Sequence, residues 1–586
     1  MIVPMQKVAV LSLNTERNRA LTSLRELGVV HLTFDQRVEH DDIEAARRRL
    51  ESVRRACEAL PNVARQAPSA LPASEVVDEL LRLIQQRRES GEELQRLLQE
   101  RKRIEPFGAF APEAIAALGE RGIFIRLFQA PLKRLPPIPE QAVYLETLRS
   151  GGAVFFALIS RGEQPEIEAQ MIHPPAMSLA IIESRINELE TAQANIADQM
   201  ARFGGDRAAL AQLRAEAEEV LQLAEVRASM GAATARIDYL QGFCPTDELD
   251  RLRQAARENG WGLSVEDPEE SDRVPTLLRN PAWMKPVEAI FDLIGILPGY
   301  REIDVSLWFL LFFTLFFAML VGDAGYGALF LILTVWARRK FVDIPAHVFT
   351  LLSITSIATM TWGALTGTYF GIPDLPAPFA SLKLNWLGNE EHVKELCFWI
   401  AAIHLSIAHV WNIIRLIRTP QALAQLGWLC VVWFMFFTAR SVVLNLPFPQ
   451  IMNWVFAAGV VLIVLFMTPR KSLREEWFNH VMLPLNLVGS FVDVISYIRL
   501  YAVGVASFAI ASTFNTMLVP LLDGWLTGLL AALLLFLAHA VNIVLAVMGV
   551  MVHGIRLNTL EFASHIGLQW SGIPYQPWQR KPRAAT

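Results

Sequence analysis

From Pro484 to Val519 the chain reads PLNLVGSFVDVISYIRLYAVGVASFAIASTFNTMLV, apolar almost throughout, with Arg499 close to its middle. An arginine cannot shed its proton, and a charge at mid-bilayer costs at least ~2.5–3.5 kcal/mol on insertion scales. One reading is an arginine that snorkels or pairs for structural reasons; the other is a functional charge. At ~1.5 Å per residue the run exceeds a ~30 Å hydrocarbon core. As a helix it must tilt, bend or protrude, and no particular angle follows.

Composition places this run in a chain of two characters. The 586 residues have a mean hydropathy of +0.32, too apolar for a soluble protein and too charged for one wholly in a membrane. Charged residues crowd the first half and long apolar runs fill the second, which predicts a polytopic helical membrane domain with a large soluble domain. The net charge of −5 says little about partners, and no basic patch points to nucleic acid. Cys57, Cys244, Cys397 and Cys430 are scattered, without CxxC spacing or a disulfide framework. The first thirty residues lack a signal-peptide core, so the N-terminus is expected to stay cytoplasmic.

Residues 1–285 form the expected soluble arm. Val3–Leu13 alternates as a strand, Thr15–Leu27 reads as a helix capped by Asn14 or Thr15, and Val29–Phe34 reads as a second strand. Residues 41–104, interrupted at Pro61–Pro72, read as two helical pieces. GIFIRLFQA (122–130) and AVFFALIS (153–160) look like strands of a second lobe, about 105–175, with a helix at Pro139–Arg149 between them. Residues 176–229 read as one long polar helix, whose narrow apolar stripe needs the 41–104 segment as an antiparallel partner. A strand at 235–243, a helix at 246–258 and a strand near 261–266 return to complete the first lobe, 1–40 with 235–270. The expected shape is an α+β dumbbell with a coiled-coil shaft, which suits a spacer or tether equally well. No GxxxxGK[ST] phosphate loop occurs. GDAGYG (322–327) follows a membrane run, and close helix packing at a tight turn explains its glycines better than a phosphate loop.

After a linker at 286–304, residues 305–586 yield eight expected spans: 305–321, 324–338, 348–371, 396–416, 426–444, 452–468, 484–518 and 526–566, the last two long and tilted. Arg338, Arg339 and Lys340 follow span two; Arg415 and Arg418 follow span four; Arg470, Lys471 and Arg474 follow span six; Arg580, Lys581 and Arg583 follow span eight. The other connections are poor in Lys and Arg, and 372–395 carries Asp374, Glu390, Glu391 and Glu395 against Lys383 and Lys394. This is the positive-inside pattern with both termini cytoplasmic.

Span eight carries His539, Asn542, Ala546, Gly549, His553 and Arg556 at steps of three or four, one face of an α-helix. Such a stripe either holds water or glues the helix to a neighbour, and spacing leaves both open. Glu561 lies about 140° round an α-helix from Arg556 and should serve another surface. Asp493, six residues before Arg499, faces elsewhere and is not expected to pair with it. His404 and His409 in HLSIAHVWN are more often packing histidines than relays.

SYIRLYAVGVASFAIAS, around Arg499, resembles the penultimate helix of the a (or I) subunit of V-type and A-type rotary ATPases. VHGIRLNTLEF (552–562) and the linker PTLLRNPAWMKPVEAIFDLIGILPGYREID (275–304) resemble that family as well, so the likeness covers essentially the whole chain. It implies a non-catalytic stator subunit, with no cofactor or nucleotide of its own, in a prokaryotic plasma membrane. The implied partners are a ring of proteolipid subunits, peripheral-stalk subunits, a central-stalk subunit and the lipid membrane. By resemblance, Arg499 faces the ring and discharges its carboxylates. Arg556 is a second functional arginine, with His553 a turn before and Glu561 after; from the stripe on span eight His539 and Asn542, and from its place two turns after Arg499 Ser507, are expected on the ion path. The sequence departs from V-type relatives at Ser507, where they carry a histidine, and at Ala546, where they carry a glutamate. A self-contained secondary transporter with a regulatory arm is the competing class. It predicts an internal repeat and broken helices about a midplane site, and spans seven and eight resemble no earlier pair. A membrane-anchored scaffold would have no need of Arg499.

Overall fold

The computed structural model describes residues 1–33, 41–60, 68–132, 135–139, 141–162, 167–372, 376–468 and 477–579. The loop charges Asp374, Arg470, Lys471, Arg474, Arg580, Lys581 and Arg583 lie outside them, as does the Pro61 end of the interruption. The chain divides into two compact units. One holds Met1–Val10, Thr22–Leu32 and Gln241–Gln579; the other holds Leu11–Leu21 and the described residues of Thr33–Leu240.

The soluble elements are β1 (Met5–Leu13), α1 (Arg17–Leu27), β2 (His31–Leu32), α2 (Asp41–Ala59), α3 (Ala73–Ile104), α4 (Pro112–Glu120), β3 (Ile123–Pro131), β4 (Ala142–Ser150), β5 (Ala153–Arg161), β6 (Gln170–Ile172), α5 (Leu179–Arg202), α6 (Arg207–Ser229), β7 (Gly231–Thr234), β8 (Ile237–Pro245), α7 (Leu249–Asn259), β9 (Gly262–Glu266) and β10 (Pro275–Thr276).

In the second unit α2 lies against α6 and α3 against α5. Val76–Leu83 meets Ile196 and Met200, whereas Leu97, further along α3, meets Ile182–Leu189, earlier in α5. The two helices therefore run antiparallel, as their apolar stripes require. Three expectations fail here. Residues 176–229 are two helices, broken by a 3-10 turn at Phe203–Asp206 where Gly204 and Gly205 interrupt the pattern. Pro139–Arg149 is not a helix: Ala142–Ser150 is an edge strand paired antiparallel with β5, with a bulge between Glu146 and Leu148. Neither Asn14 nor Thr15 caps α1. A 3-10 turn over Asn14–Glu16 precedes the helix without a side-chain cap, and Asn14 Nδ2 donates to the Ala235 carbonyl. The lobe sheet runs β4-β5-β3-β6. Strand alternation sends Leu127 and Ala157 to one face, with Phe107, and Phe128, Phe156 and Leu158 to the other.

The first unit carries the sheet β2-β8-β1-β9, with α7 closed by Gly260 in the left-handed region (φ 68°). It continues through α8 (Pro286–Ile294), α9 (Ser306–Val321), α10 (Ala324–Lys340), α11 (Ala346–Thr366), the single turn α12 (Ala377–Ala380), α13 (Glu390–Arg415), α14 (Gln421–Leu444), α15 (Ile451–Phe466), α16 (Trp477–Ser496), α17 (Ile498–Leu518), α18 (Trp525–Gly549), α19 (Ala563–Ile566) and β11 (Ile573–Pro574). Five helical stretches among the described residues are long and apolar enough to cross a membrane: Ala346–Thr366, Glu390–Arg415, Gln421–Leu444, His480–Asp523 and Trp525–Ile566. Ser306–Val321 and Ile451–Phe466 are shorter apolar helices. The expected spans from 305 to 468 each overlap one helix, whereas 484–518 covers α16 and α17 and 526–566 covers α18, two π-helical segments and α19.

One apolar core joins these helices, with Phe309 and Phe316 of α9, Phe398 and Leu405 of α13, Val431 and Phe436 of α14, Tyr497, Leu500 of α17 and Ala546 of α18. The glycines of 322–327 pack as expected. A Cβ on Gly327 would lie 2.7 Å from the Met360 nitrogen, and one on Gly325 2.4 Å from the Phe370 ring. Asp323 caps α10, its Oδ1 accepting from Gly325 N (2.8 Å) and Tyr326 N (3.1 Å). After Gly572 the chain returns to the small lobe. Ile573–Pro574 pairs parallel with Pro275–Thr276, and buried Trp578 lies under the Arg25 guanidinium.

Candidate functional site

The helical ladder between α16 and α17 is interrupted at Tyr497, and Arg499 follows at once. Its Nε donates to the Ser496 carbonyl at 2.9 Å, and its Nη2 lies 2.6 Å from Glu561 Oε1. The Arg499 side chain keeps 22% of its surface exposed, while that of Glu561 keeps 4%. Arg556 Nε approaches the same Oε1 at 3.4 Å. One buried carboxylate thus stands between two guanidiniums, which leaves the group with a net charge of one positive unit.

Glu561 therefore does not serve another surface. The α-helical count fails because two π-helical segments, Val550–Gly554 and Leu557–Phe562, follow α18. In π geometry residues five apart stack along the hydrogen-bond direction, and Arg556 and Glu561 are five apart. The same segments move the buried stripe. It runs through Asn542 and Ala546, then Val550, Gly554, Leu557, Asn558 and Glu561, while Arg556 turns outward and Gly549 and His553 are half-buried. The six residues from His539 to Arg556 do not share one buried face. His553 Nδ1 and Glu561 Oε2 are buried without a hydrogen-bond partner in the protein.

A second polar group lies further along the same two helices. Asn542 Nδ2 donates to the Ser507 carbonyl (2.9 Å) and to the Tyr326 hydroxyl (3.0 Å), and Ser507 Oγ donates to Asn542 Oδ1 (3.4 Å). His539 bridges Tyr326 Oη (2.7 Å) and Asn515 Oδ1 (3.1 Å). Asn515 Nδ2 donates to the Phe370 carbonyl at 2.6 Å. His539, Asn542 and Ser507 thus meet as expected, and protein partners account for their hydrogen bonds. Sequence reasoning missed Tyr326 and Asn515. Asn515 was findable, because Ser507, Ala511 and Asn515 recur every four residues on the buried side of α17.

His404 is fully buried between the Phe312 and Phe562 rings, its Nδ1 2.8 Å from the Tyr497 hydroxyl. His409 contacts Gln425 Oε1 through Nδ1 and His565 Nδ1 through Nε2, both at 2.9 Å. His565 Nε2 lies 3.1 Å from Asp493 Oδ2. Asp493 is not a partner of Arg499, as expected. Among the described residues no group of three or more His, Cys, Asp or Glu side chains is placed to hold a metal ion.

Long apolar helices around a buried carboxylate that pairs with two partly exposed arginines, with an α+β arm, define a membrane protein. No family model matches the chain. It is 31% identical over 630 residues to the V-type ATP synthase subunit I 1 of Treponema pallidum (strain Nichols), covering 99% of this chain and 100% of the relative. It is 29% identical over 613 residues to the V-type ATP synthase subunit I of Borreliella burgdorferi, with coverage of 99% and 100%. The A-type ATP synthase subunit I of Archaeoglobus fulgidus is 24% identical over 400 residues, 59% of each chain. A crystal structure of the cytoplasmic N-terminal domain of subunit I, homologue of subunit a of V-ATPase, matches with TM-score 0.23 and 17% identity, covering 44% of this chain and 99% of that one. The chain belongs to the V-type ATP synthase subunit I family.

Proposed function

We propose that the chain forms the ion half-channels of a V/A-type rotary ATPase against a rotating proteolipid ring, with Arg499 discharging the ring carboxylates. The observation that carries this reading is a guanidinium beside the Tyr497 interruption, still 22% exposed, inside one of the longest apolar stretches of the chain. Its fixed charge favours the ionised form of a carboxylate brought alongside. The incoming proton is thereby released on one side, and direct leakage past the arginine is blocked. Only 17% of the apolar window of Trp525–Ile566 is buried within the chain. The apolar surface left over suits lipid and a ring of apolar helices.

Eight spans cross a prokaryotic plasma membrane with both termini cytoplasmic. Residues 1–285 form the cytoplasmic arm, with lobes at 1–40 plus 235–270 and at 105–175; 286–304 are the linker and 305–586 the translocating domain. The arm is a dumbbell that binds peripheral-stalk subunits, and the rotor side meets the ring and central stalk. Arg556, His553, Glu561, Ser507, His539 and Asn542 line or flank the path. Transmembrane potential, ~2.3 kcal/mol per charge per 100 mV, or ATP hydrolysed on other subunits supplies the free energy. Purification through an affinity tag on this chain should bring down small hairpin ring subunits and soluble ATPase subunits. Recovery of the chain alone from native membranes would overturn the reading.

A further inference from the structure

A cavity of ≈ 520 Å³ opens between α13, α14, α16 and α19, lined among others by His409, Arg415, Gln425, Ser490, Asp493 and His565. It belongs to neither polar group on α17 and α18 described above. Two of its lining residues, Ser490 and Asn412, present buried oxygens (Oγ and Oδ1) without a protein partner. Water in a cavity needs two to four polar partners, and Ser490, Asn412, Asp493 and Gln425 supply them.

Resting on the reading under Proposed function, we propose that Asp493 and His565 form a proton-exchange site in the route that opens beside the α13–α14 connection. His409 is the positioning residue that sets the tautomer of His565, and the transported ion is H⁺.

The hydrogen-bond chain leads to this assignment. Gln425 presents Oε1, which only accepts, to His409 Nδ1, which therefore donates. His409 Nε2 is then the acceptor and His565 Nδ1 the donor across their 2.9 Å contact. The remaining nitrogen, His565 Nε2, faces Asp493 Oδ2 at 3.1 Å. Two acceptors cannot share that contact, so one proton sits between them, on the imidazole or on the carboxyl. With the opposite tautomers of both imidazoles, His565 Nε2–H itself donates to Asp493 Oδ2, so a proton lies on this contact in either arrangement. The site thus has one exchangeable proton.

The charged and titratable groups around the pair are few. Arg415 of α13 lines the cavity, His409 lies on α13, and Glu561 lies one turn before His565. His404 and Tyr497 bond to each other, and Arg499 is engaged by Glu561. Ser490 and Asn412 also bring oxygens to this cavity, but the exchanging pair itself joins an imidazole nitrogen to one carboxylate, a donor set that suits a proton. Imidazole is a proton shuttle. In the exchange, a hydronium O–H in the cavity breaks, leaving water, as an N–H or O–H forms on the unprotonated pair. That bond then breaks as an O–H forms, through intervening water, on a ring carboxylate that has moved clear of Arg499.

The test uses the complete ATPase in proteoliposomes, reading ATP-driven acidification from pH 5.5 to 8.5 together with ²²Na⁺ uptake. Asp493→Asn and His565→Gln should each slow acidification by about a hundredfold, the lower end of what a positioned proton-transfer group supplies. Asp493→Glu should recover most of it. Added imidazole should speed His565→Gly, with a pH dependence set by the added base. Acidification at the wild-type rate and pH profile in both Asp493→Asn and His565→Gln, while Arg499→Ala is inactive, overturns this inference and leaves the stator reading intact. Normal pumping by Arg499→Ala overturns that reading as well. Uptake of ²²Na⁺ by the wild type in place of acidification overturns the assignment of the ion.

Discussion

At the scale of single residues the fold settles a competition for one carboxylate. Arg499 and Arg556 come from different helical stretches, and both reach Glu561 Oε1. Removing one partner of a buried ion pair costs more than the pair is worth in water, because the remaining charges stay desolvated. Both arginines keep some solvent contact, which reduces the penalty. Glu561→Gln should therefore destabilise the detergent-solubilised protein by about 1.5–3 kcal/mol, the range for a hydrogen bond to a charged group. A thermal-unfolding series on the purified complex checks this, and Glu561→Asp should fall between the two. The pairing was illegible in the sequence for a definite reason. The residues of VHGIRLNTLEF give no sign that the backbone leaves α geometry, and an α count puts Glu561 on the wrong side. The arginines themselves were legible, because a charge in an apolar run is conspicuous.

At the scale of elements, period and chemistry predicted most of what formed. Amphipathic α2, α3, α5 and α6 pair as their stripes require, and the strands at 123–131 and 153–161 lie where β-branched and aromatic residues cluster. The missed strand Ala142–Ser150 carries Glu, Leu and Arg, which favour helix; pairing with β5 overrode that preference, as cross-strand context does. Helix contacts depend on small residues that pattern alone cannot rank. A Cβ on Gly363 would lie 2.1 Å from the Ala324 nitrogen, with no flexible side chain to give way. Gly363→Val should lower the yield of folded protein severely, while Gly119→Ala, with open space around it, should be neutral; recovery of monodisperse protein in detergent distinguishes them. The returning C-terminal segment makes a pH-dependent contact. Gln576 N–H donates to His31 Nδ1 at 3.0 Å, and burial holds the His31 pKa below its ordinary value of 6.5, the Gln576 carbonyl opposing the shift. A group whose pKa is depressed on docking stabilises the docked form above its free pKa, and that contribution is lost as pH falls through the docked value. Amide exchange in residues 573–578 should therefore be slow at pH 7.5 and faster, after correction for intrinsic rates, below about pH 6. His31→Gln should flatten the difference.

At the scale of the whole molecule the account joins a topology to a charge. The eight proposed crossings rest on apolar length and on the arginine-rich even connections. In a background without native cysteines, a cysteine at Asp343 should react with an impermeant thiol reagent from the cytoplasmic side alone, and one at Ser381 from the opposite side alone. Reaction of both from one side would remove the topology. The central claim is that Arg499 couples ion flow to rotation, and ATP-driven ion uptake by vesicles carrying the complete complex measures it most directly. With Arg499→Ala the account predicts a fully assembled complex that takes up no ions. Arg499→Lys should do little better, since an ammonium is more strongly hydrated and loses its proton when buried. Uptake at the normal rate by assembled Arg499→Ala complexes would contradict it.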